Sequence, residues 1–310
     1  MPAPKLSEQT KGVYIISATP FTETGDIDFD SAERLVEFYI EKGVTGMTIL
    51  GMMGEANKLA PDESEKFLTH MMDRVGGRIP VVVGVSNAGL GNLARLAQAS
   101  MEAGACGVMV APSGGQNTNE AIHRYFAQVC EALGPDVPLC YQDFPLTTKV
   151  HISVECFNTL VESFPQLVML KHEDWPGLSK LSAVRKASDE GGVRRVSILC
   201  GNGGLYLPQE LARGADGAMT GFAYPEMLVE VVAKFQAGDI DGAEDVFDIY
   251  LPLAKHEQQP GFGLAVRKEI LRRRGIISCA DTRAPGPSLT PTDHEELSRL
   301  MERLEQRLPA

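Results

Sequence analysis

The chain has 310 residues, enough for two domains at roughly 150 residues each or for one α/β barrel with a helical appendix. Apolar residues make up 44% and charged residues 23%, ordinary globular usage that excludes disordered, collagen-like and membrane classes. Its 29 basic and 41 acidic side chains give a net charge of −12 with no long basic block, which argues against a nucleic-acid partner and for a soluble cytoplasmic protein.

The six cysteines (Cys106, Cys130, Cys140, Cys156, Cys200 and Cys279) stand singly, without C-x-x-C or any paired spacing, so they read as reduced thiols and not as a zinc or disulfide framework. Residues 1–11 are polar and lack an apolar signal core. No run approaches the roughly 18 apolar residues that a spanning helix needs, so no membrane partner is expected.

In chain order, short apolar runs recur at 12–18, 46–50, 80–85, 107–111, 137–142, 168–171, 197–200 and 217–220. Segments with helical periodicity separate most of them, at 30–42, 61–75, 90–103, 119–133, 153–163 and 178–189. Three phrases, Lys42-Gly43-Val44-Thr45-Gly46, Ala103-Gly104-Ala105-Cys106-Gly107 and Arg213-Gly214-Ala215-Asp216-Gly217, read as a helix-ending glycine and a tight turn into a buried parallel strand. This alternation predicts a closed (β/α)₈ TIM barrel over residues 1–237. An open doubly wound sheet is disfavoured by the missing G-x-G-x-x-G after the first strand. After Tyr224 the pattern turns helical, at 225–237, 239–257, 261–274 and 293–307. Residues 238–310 are therefore expected to form a C-terminal helical extension packed on the barrel.

Barrel chemistry sits at the C-terminal ends of the strands. That rule selects Thr19 and Pro20, the loop Gly51-Met52-Met53-Gly54-Glu55, Ser86, Tyr141-Gln142-Asp143, Lys171, Gly201-Asn202-Gly203-Gly204, and Thr220-Gly221. Lys171 is the informative one. Val168-Met169-Leu170 carry it into an apolar barrel, where burial should depress its pKa and leave an amine able to add to a ketone. The plainer reading is a lysine that leaves the strand end for solvent, or pairs with Glu173 or Asp174. The Gly51–Glu55 loop could offer backbone N–H groups to a carboxylate, or be a tight turn needed only for packing. His172-Glu173-Asp174 looks like a metal cluster, but three successive side chains cannot all face one ion. No G-x-S-x-G supports a hydrolase.

At Ala18-Thr19-Pro20-Phe21 with Gly25-Asp26-Ile27-Asp28, at Gly51-x-x-Gly54-Glu55, at Lys171 and at Gly214-Ala215-Asp216-Gly217, the chain resembles the dihydrodipicolinate synthase and N-acetylneuraminate lyase superfamily of Schiff-base aldolases and dehydratases. The resemblance implies a (β/α)₈ barrel, a homotetramer, and no metal or cofactor. It also implies that Lys171 forms an imine with a 2-oxo acid whose carboxylate meets the Met52, Met53 and Gly54 amides.

Departures narrow the branch. Met52 and Met53 stand where the family has two hydroxylated residues, and Pro112-Ser113-Gly114-Gly115 lacks the tyrosine that a neighbouring subunit contributes. No arginine stands near Thr147, where the synthases use one, and Gly203-Gly204 replaces the Asp-Glu pair of sialic acid lyases. Gln142-Asp143-x-Pro145, Pro176-Gly177, Gly217-Ala218-Met219-Thr220-Gly221 and the tail from Leu251 to Cys279 are similar to a dehydratase branch, that of L-2-keto-3-deoxyarabonate dehydratase. Counting back from Pro145 puts Gln142 at the position of the family's catalytic tyrosine. A one-residue slip reverses a strand's faces, so Gln142 is read as inward and Tyr141 is kept as the alternative acid/base.

These readings predict a lyase in which Lys171 is catalytic with Gln142 or Tyr141, and Met52, Met53, Gly54, Gly201 and Thr220 bind substrate. The favoured activity is dehydration of a 2-keto-3-deoxy sugar acid. The alternatives are a pyruvate-dependent aldolase, which shares the imine, and a non-catalytic binder of 2-oxo acids.

Overall fold

The computed structural model describes residues 3–175 and 177–308; Pro176, part of the branch pattern above, lies outside them. Eight parallel strands run β1 (Gly12–Ile16), β2 (Gly46–Ile49), β3 (Val81–Gly84), β4 (Gly107–Val110), β5 (Leu139–Asp143), β6 (Leu167–His172), β7 (Ser197–Cys200) and β8 (Gly217–Ala218). Each pairs with its sequence neighbour, and β8 closes on β1, so the expected (β/α)₈ barrel is what forms.

The intervening helices are α1 (Phe29–Glu41), α2 (Pro61–Val75), α3 (Leu90–Glu102), α4 (Asn119–Leu133), α5 (Pro145–Thr148), α6 (Val154–Ser163), α7 (Leu178–Asp189), α8 (Leu207–Ala212) and α9 (Pro225–Gln236). Local chemistry sets their starts. Asp28, Thr118 and Ser153 each cap a helix by accepting a backbone N–H from three residues on. Along α1 the buried positions Ala32, Leu35, Val36 and Tyr39 recur at helical spacing and face the sheet. Gly43, Gly104 and Gly214 have φ of 74°, 91° and 94°, the left-handed geometry the three turn phrases called for. The sequence reading passed over α5 and α8, at 4 and 6 residues too short to display a period.

Strand alternation divides the apolar residues into two cores. Tyr14, Ile16, Val82, Met109, Cys140, Met169, Leu199 and Met219 fill the barrel, with Leu6 among them from the N-terminal segment. Residues of opposite parity, such as Ile15, Val83, Tyr141, Leu170 and Ile198, pack outward against the helices. At the closing seam Gly12 pairs with Gly217. A Cβ on Gly217 would run into the Gly12 carbonyl oxygen, and one on Gly12 into the Thr45 side chain, so both positions require glycine.

Beyond the barrel lie α10 (Ile240–Glu257), α11 (Gly263–Arg273) and α12 (Pro291–Glu305). Contacts run from α10 to α9, α11 and α12. Among the described residues, no helix is long and apolar enough to cross a membrane.

Candidate active site

Lys171 shares the inward parity of Met169 on β6, and the β5–β6 register sets it opposite Gln142. It does not leave for solvent: only 4% of it is exposed. Its Nζ lies 3.0 Å from Glu173 Oε2, and the same oxygen accepts a 2.7 Å hydrogen bond from Gln142 Nε2. Amine, carboxylate and amide thus meet at the mouth of the barrel. Asp174 points elsewhere and pairs with Lys180 at 3.0 Å.

Gln142 is inward, and Tyr141 is not. Tyr141 sits in the strand–helix layer, its ring centre 4.7 Å from that of Phe126 and 5.8 Å from that of Phe157. Its hydroxyl is buried without a hydrogen-bond partner, and burial pushes its pKa well above the usual tyrosine range. Tyr141 as an alternative acid/base is therefore corrected: strand parity turns it away from the amine. Tyr141→Phe should leave turnover within ~twofold and stability within about 1 kcal/mol, as steady-state rates and urea unfolding would show.

The strand-2 loop forms a tight turn after Leu50, which is left-handed at φ 54°. Gly51 faces the interior near Ile16 and Met109, and Met53 packs against the barrel core. Of the three amides expected to hold a carboxylate, that of Gly54 is already engaged, donating to Gly51 O at 3.0 Å. The carboxylate contact expected of this loop would therefore rest on the Met52 and Met53 N–H groups. The turn is tied down from the segment after β1, where Thr19 Oγ1 donates to Gly54 O at 2.6 Å.

Gly201 makes room for the carboxylate beside Lys171. The Glu173 side chain occupies the space a Cβ there would need, so the glycine is what lets Glu173 lie over the strand-7 loop. Asn202 Nδ2 donates to Glu173 O at 3.2 Å, holding the same residue from its backbone side. Thr220 Oγ1 accepts the Gly203 N–H at 2.7 Å, which leaves its own proton to donate. A cavity of about 420 Å³ borders Gly201 and Asn202 and is walled by Trp175, Tyr206, Asp174 and Arg213.

Behind this site the outward faces of β5, β6 and β7 carry a second polar layer. Lys180 Nζ meets Asp143 Oδ2 at 2.6 Å, and His172 Nδ1 lies 3.8 Å from the same oxygen. His172 Nε2 donates to Gly177 O at 3.0 Å, so His172 and Asp174 diverge from Glu173 and do not form the metal cluster their adjacency suggested. Glu210 of α8 is buried, and burial raises its pKa to about 7, with His172 and the Cys200 thiol opposing the shift. A carboxyl that is harder to ionise folded than unfolded makes stability fall as pH rises, here between about 4.5 and 7. Glu210→Gln should therefore match wild type near pH 4 and exceed it at pH 8 by on the order of 3 kcal/mol in urea unfolding.

Sequence reasoning weighed Glu173 as a salt-bridge partner of Lys171 and as part of a metal cluster, not as an acid/base. The alternation that turned Lys171 inward also turns residue 173 to the same side, and that signal could have found it.

With the geometry in place, comparison with known proteins decides the relationship. A profile of the Dihydrodipicolinate synthetase family matches residues 9–307. The chain belongs to this family. Among its relatives, the L-2-keto-3-deoxyarabonate dehydratase of Azospirillum brasilense is 27% identical over 299 residues, 95% of this chain and 94% of that one. The 4-hydroxy-tetrahydrodipicolinate synthase of Thermus thermophilus is 31% identical over 290 residues, 92% and 93% of the two chains. A crystal structure described as dihydrodipicolinate synthase from Rhodopseudomonas palustris superposes with a TM-score of 0.95 at 47% identity, covering 97% of this chain and all of that one. Relatives in the dihydrodipicolinate synthetase family thus carry both synthase and dehydratase names. Membership makes this chain a lyase of that superfamily.

Proposed function

We propose that the protein is a Schiff-base dehydratase of a 2-keto-3-deoxy sugar acid. The observation that carries this reading is the Glu173 carboxylate, 3.0 Å from Lys171 Nζ and steadied by Gln142. The Lys171 ammonium first passes a proton to Glu173. Its neutral amine then attacks C2 of the substrate, and the carbonyl oxygen leaves as water. The protonated imine draws electrons from C3, whose proton is one bond beyond C2 and within reach of a base beside the nitrogen. Glu173 takes that proton and returns it to the C4 hydroxyl, which departs as water while the C3–C4 double bond forms. Hydrolysis of the imine restores Lys171. Met52 and Met53 amides receive the carboxylate, and the free proton of Thr220 faces the substrate's oxygens.

The synthase name of the 47%-identical relative suits this chain less well. The turn offers Met52 and Met53 in place of hydroxyls, and Thr147 in α5 stands where the resemblance calls for an arginine. An aldolase would use the same imine to break C3–C4, and a binder would stop at the imine. Incubation with pyruvate and borohydride followed by peptide mass analysis should place the adduct on Lys171, and a panel of keto-deoxy acids should yield dehydrated products. No adduct would defeat every imine reading; adduct with pyruvate release from the panel would favour the aldolase; adduct without any turnover would favour the binder. The six unpaired cysteines fit a reducing cytoplasm. A homotetramer is part of the proposal, and light scattering tests it.

A further inference from the structure

A second buried lysine stands behind the carboxylate cradle. Lys268 on α11 is 0% exposed; its Nζ donates to Glu55 Oε1 at 2.6 Å and to Asp281 O at 2.9 Å, and sits 4.3 Å from the centre of the Phe21 ring. Glu55 is itself buried and follows the Met52–Gly54 turn directly. Its other oxygen accepts from Lys58 Nζ at 2.8 Å and from the Arg283 N–H at 2.9 Å. Lys58 Nζ also donates to Arg283 O at 2.8 Å, and the Arg283 guanidinium spans Gly25 O, Lys58 O and the Glu63 carboxylate. The segment after α11 therefore reaches back over more than 200 residues to grip the strand-2 loop.

The grip has a purpose that packing alone does not require. Glu55 holds a left-handed backbone at φ 53°, a conformation that costs a non-glycine residue of order 1 kcal/mol and persists only where its surroundings over-determine it. That residue ends the turn whose Met52 and Met53 amides form the cradle. Without Lys268, Glu55 Oε1 would lose its buried cation and seek water, and only Lys58 and the Arg283 N–H on the other oxygen would still hold the turn. Burial draws the Lys268 ammonium toward its neutral form, and the Glu55 carboxylate opposes this.

We propose that Lys268 is a positioning residue for the substrate carboxylate: through Glu55 it holds the Met52 and Met53 amides in place, so the C-terminal extension sets affinity for 2-oxo acids. The inference rests on the imine reading above. Its test uses the full chain with Lys268→Met, and with Lys58→Met as a second variant at a partly exposed pin that should fold without difficulty.

The readouts are the pyruvate concentration giving half-maximal borohydride-trapped adduct, KM and kcat for an accepted keto-deoxy acid, and thermal melting. Lys268→Met should raise the half-saturating pyruvate concentration and KM by ~10-fold, with plateau adduct and kcat within ~twofold, because the cradle acts in binding and not at the reacting carbons. Lys58→Met should move both in the same direction by ~threefold. A role in stability alone would lower the melting temperature and the active fraction without moving half-saturation, and that result overturns the proposal. Unchanged half-saturation in Lys58→Met overturns it too if Lys268→Met does not fold. Failure of wild type to trap any adduct is a different result, since it removes the imine reading itself.

Discussion

Glu173→Gln should lower kcat for dehydration by ~10²–10⁴, the range that a positioned general acid/base contributes, while the pyruvate adduct on Lys171 still forms. Losing Glu173 also removes the acceptor of the Lys171 proton and should slow adduct formation, but water can accept that proton over a long incubation, whereas water loss needs a group that takes a proton at C3 and gives one at C4. Glutamine keeps the size of the side chain and an oxygen able to accept from Gln142, so the mouth of the barrel should hold its shape. It cannot carry a proton between the two carbons. Single-turnover measurements would show adduct accumulating and product failing to appear. Turnover within ~tenfold of wild type would move the acid/base role to another group, with Thr220 next in line.

Lys171→Arg should abolish the borohydride-trapped adduct and reduce turnover by ~10³-fold or more. Arginine keeps the positive charge that Glu173 faces, so the variant isolates nucleophilicity from charge. A guanidinium does not lose its proton in a protein, and no lone pair is then available to attack C2. Mass analysis after pyruvate and borohydride, beside steady-state rates, measures both effects. Residual adduct at another lysine would locate a different nucleophile; retained turnover would remove the imine from the mechanism.

Much of this was legible in the residues themselves. Runs such as Val81-Val82-Val83 and Ser197-Ile198-Leu199 announce strands buried on both faces, and Gly43, Gly104 and Gly214 mark their turns because no other residue takes those φ values cheaply. The count back from Pro145 along the family pattern put Gln142 inward, and period-two alternation then gave Tyr141 the opposite face. Other features depend on partners remote along the chain. The Glu173 carboxylate gains its place from Gly201, whose missing Cβ makes the space, and from Gln142 on the adjacent strand. Whether an amide in the strand-2 turn is free or engaged follows from the turn's own hydrogen bonding, which Gly-x-x-Gly spacing does not specify. Lys268 sits in a helix whose sequence, with charged residues on most sides, hides which of them are buried. Local patterns report faces; they do not report who sits opposite.

The two glycines at the seam bear on how the molecule is made. During synthesis each new strand can dock beside the one before it, so seven strands line up as they emerge. Until residue 217 arrives, β1 presents an unsatisfied edge, open to association with another nascent chain. A side chain at either seam position would prolong that exposure. Its cost would therefore appear first as lost yield from the ribosome and as aggregation at 37 °C, ahead of any defect in the enzyme that survives.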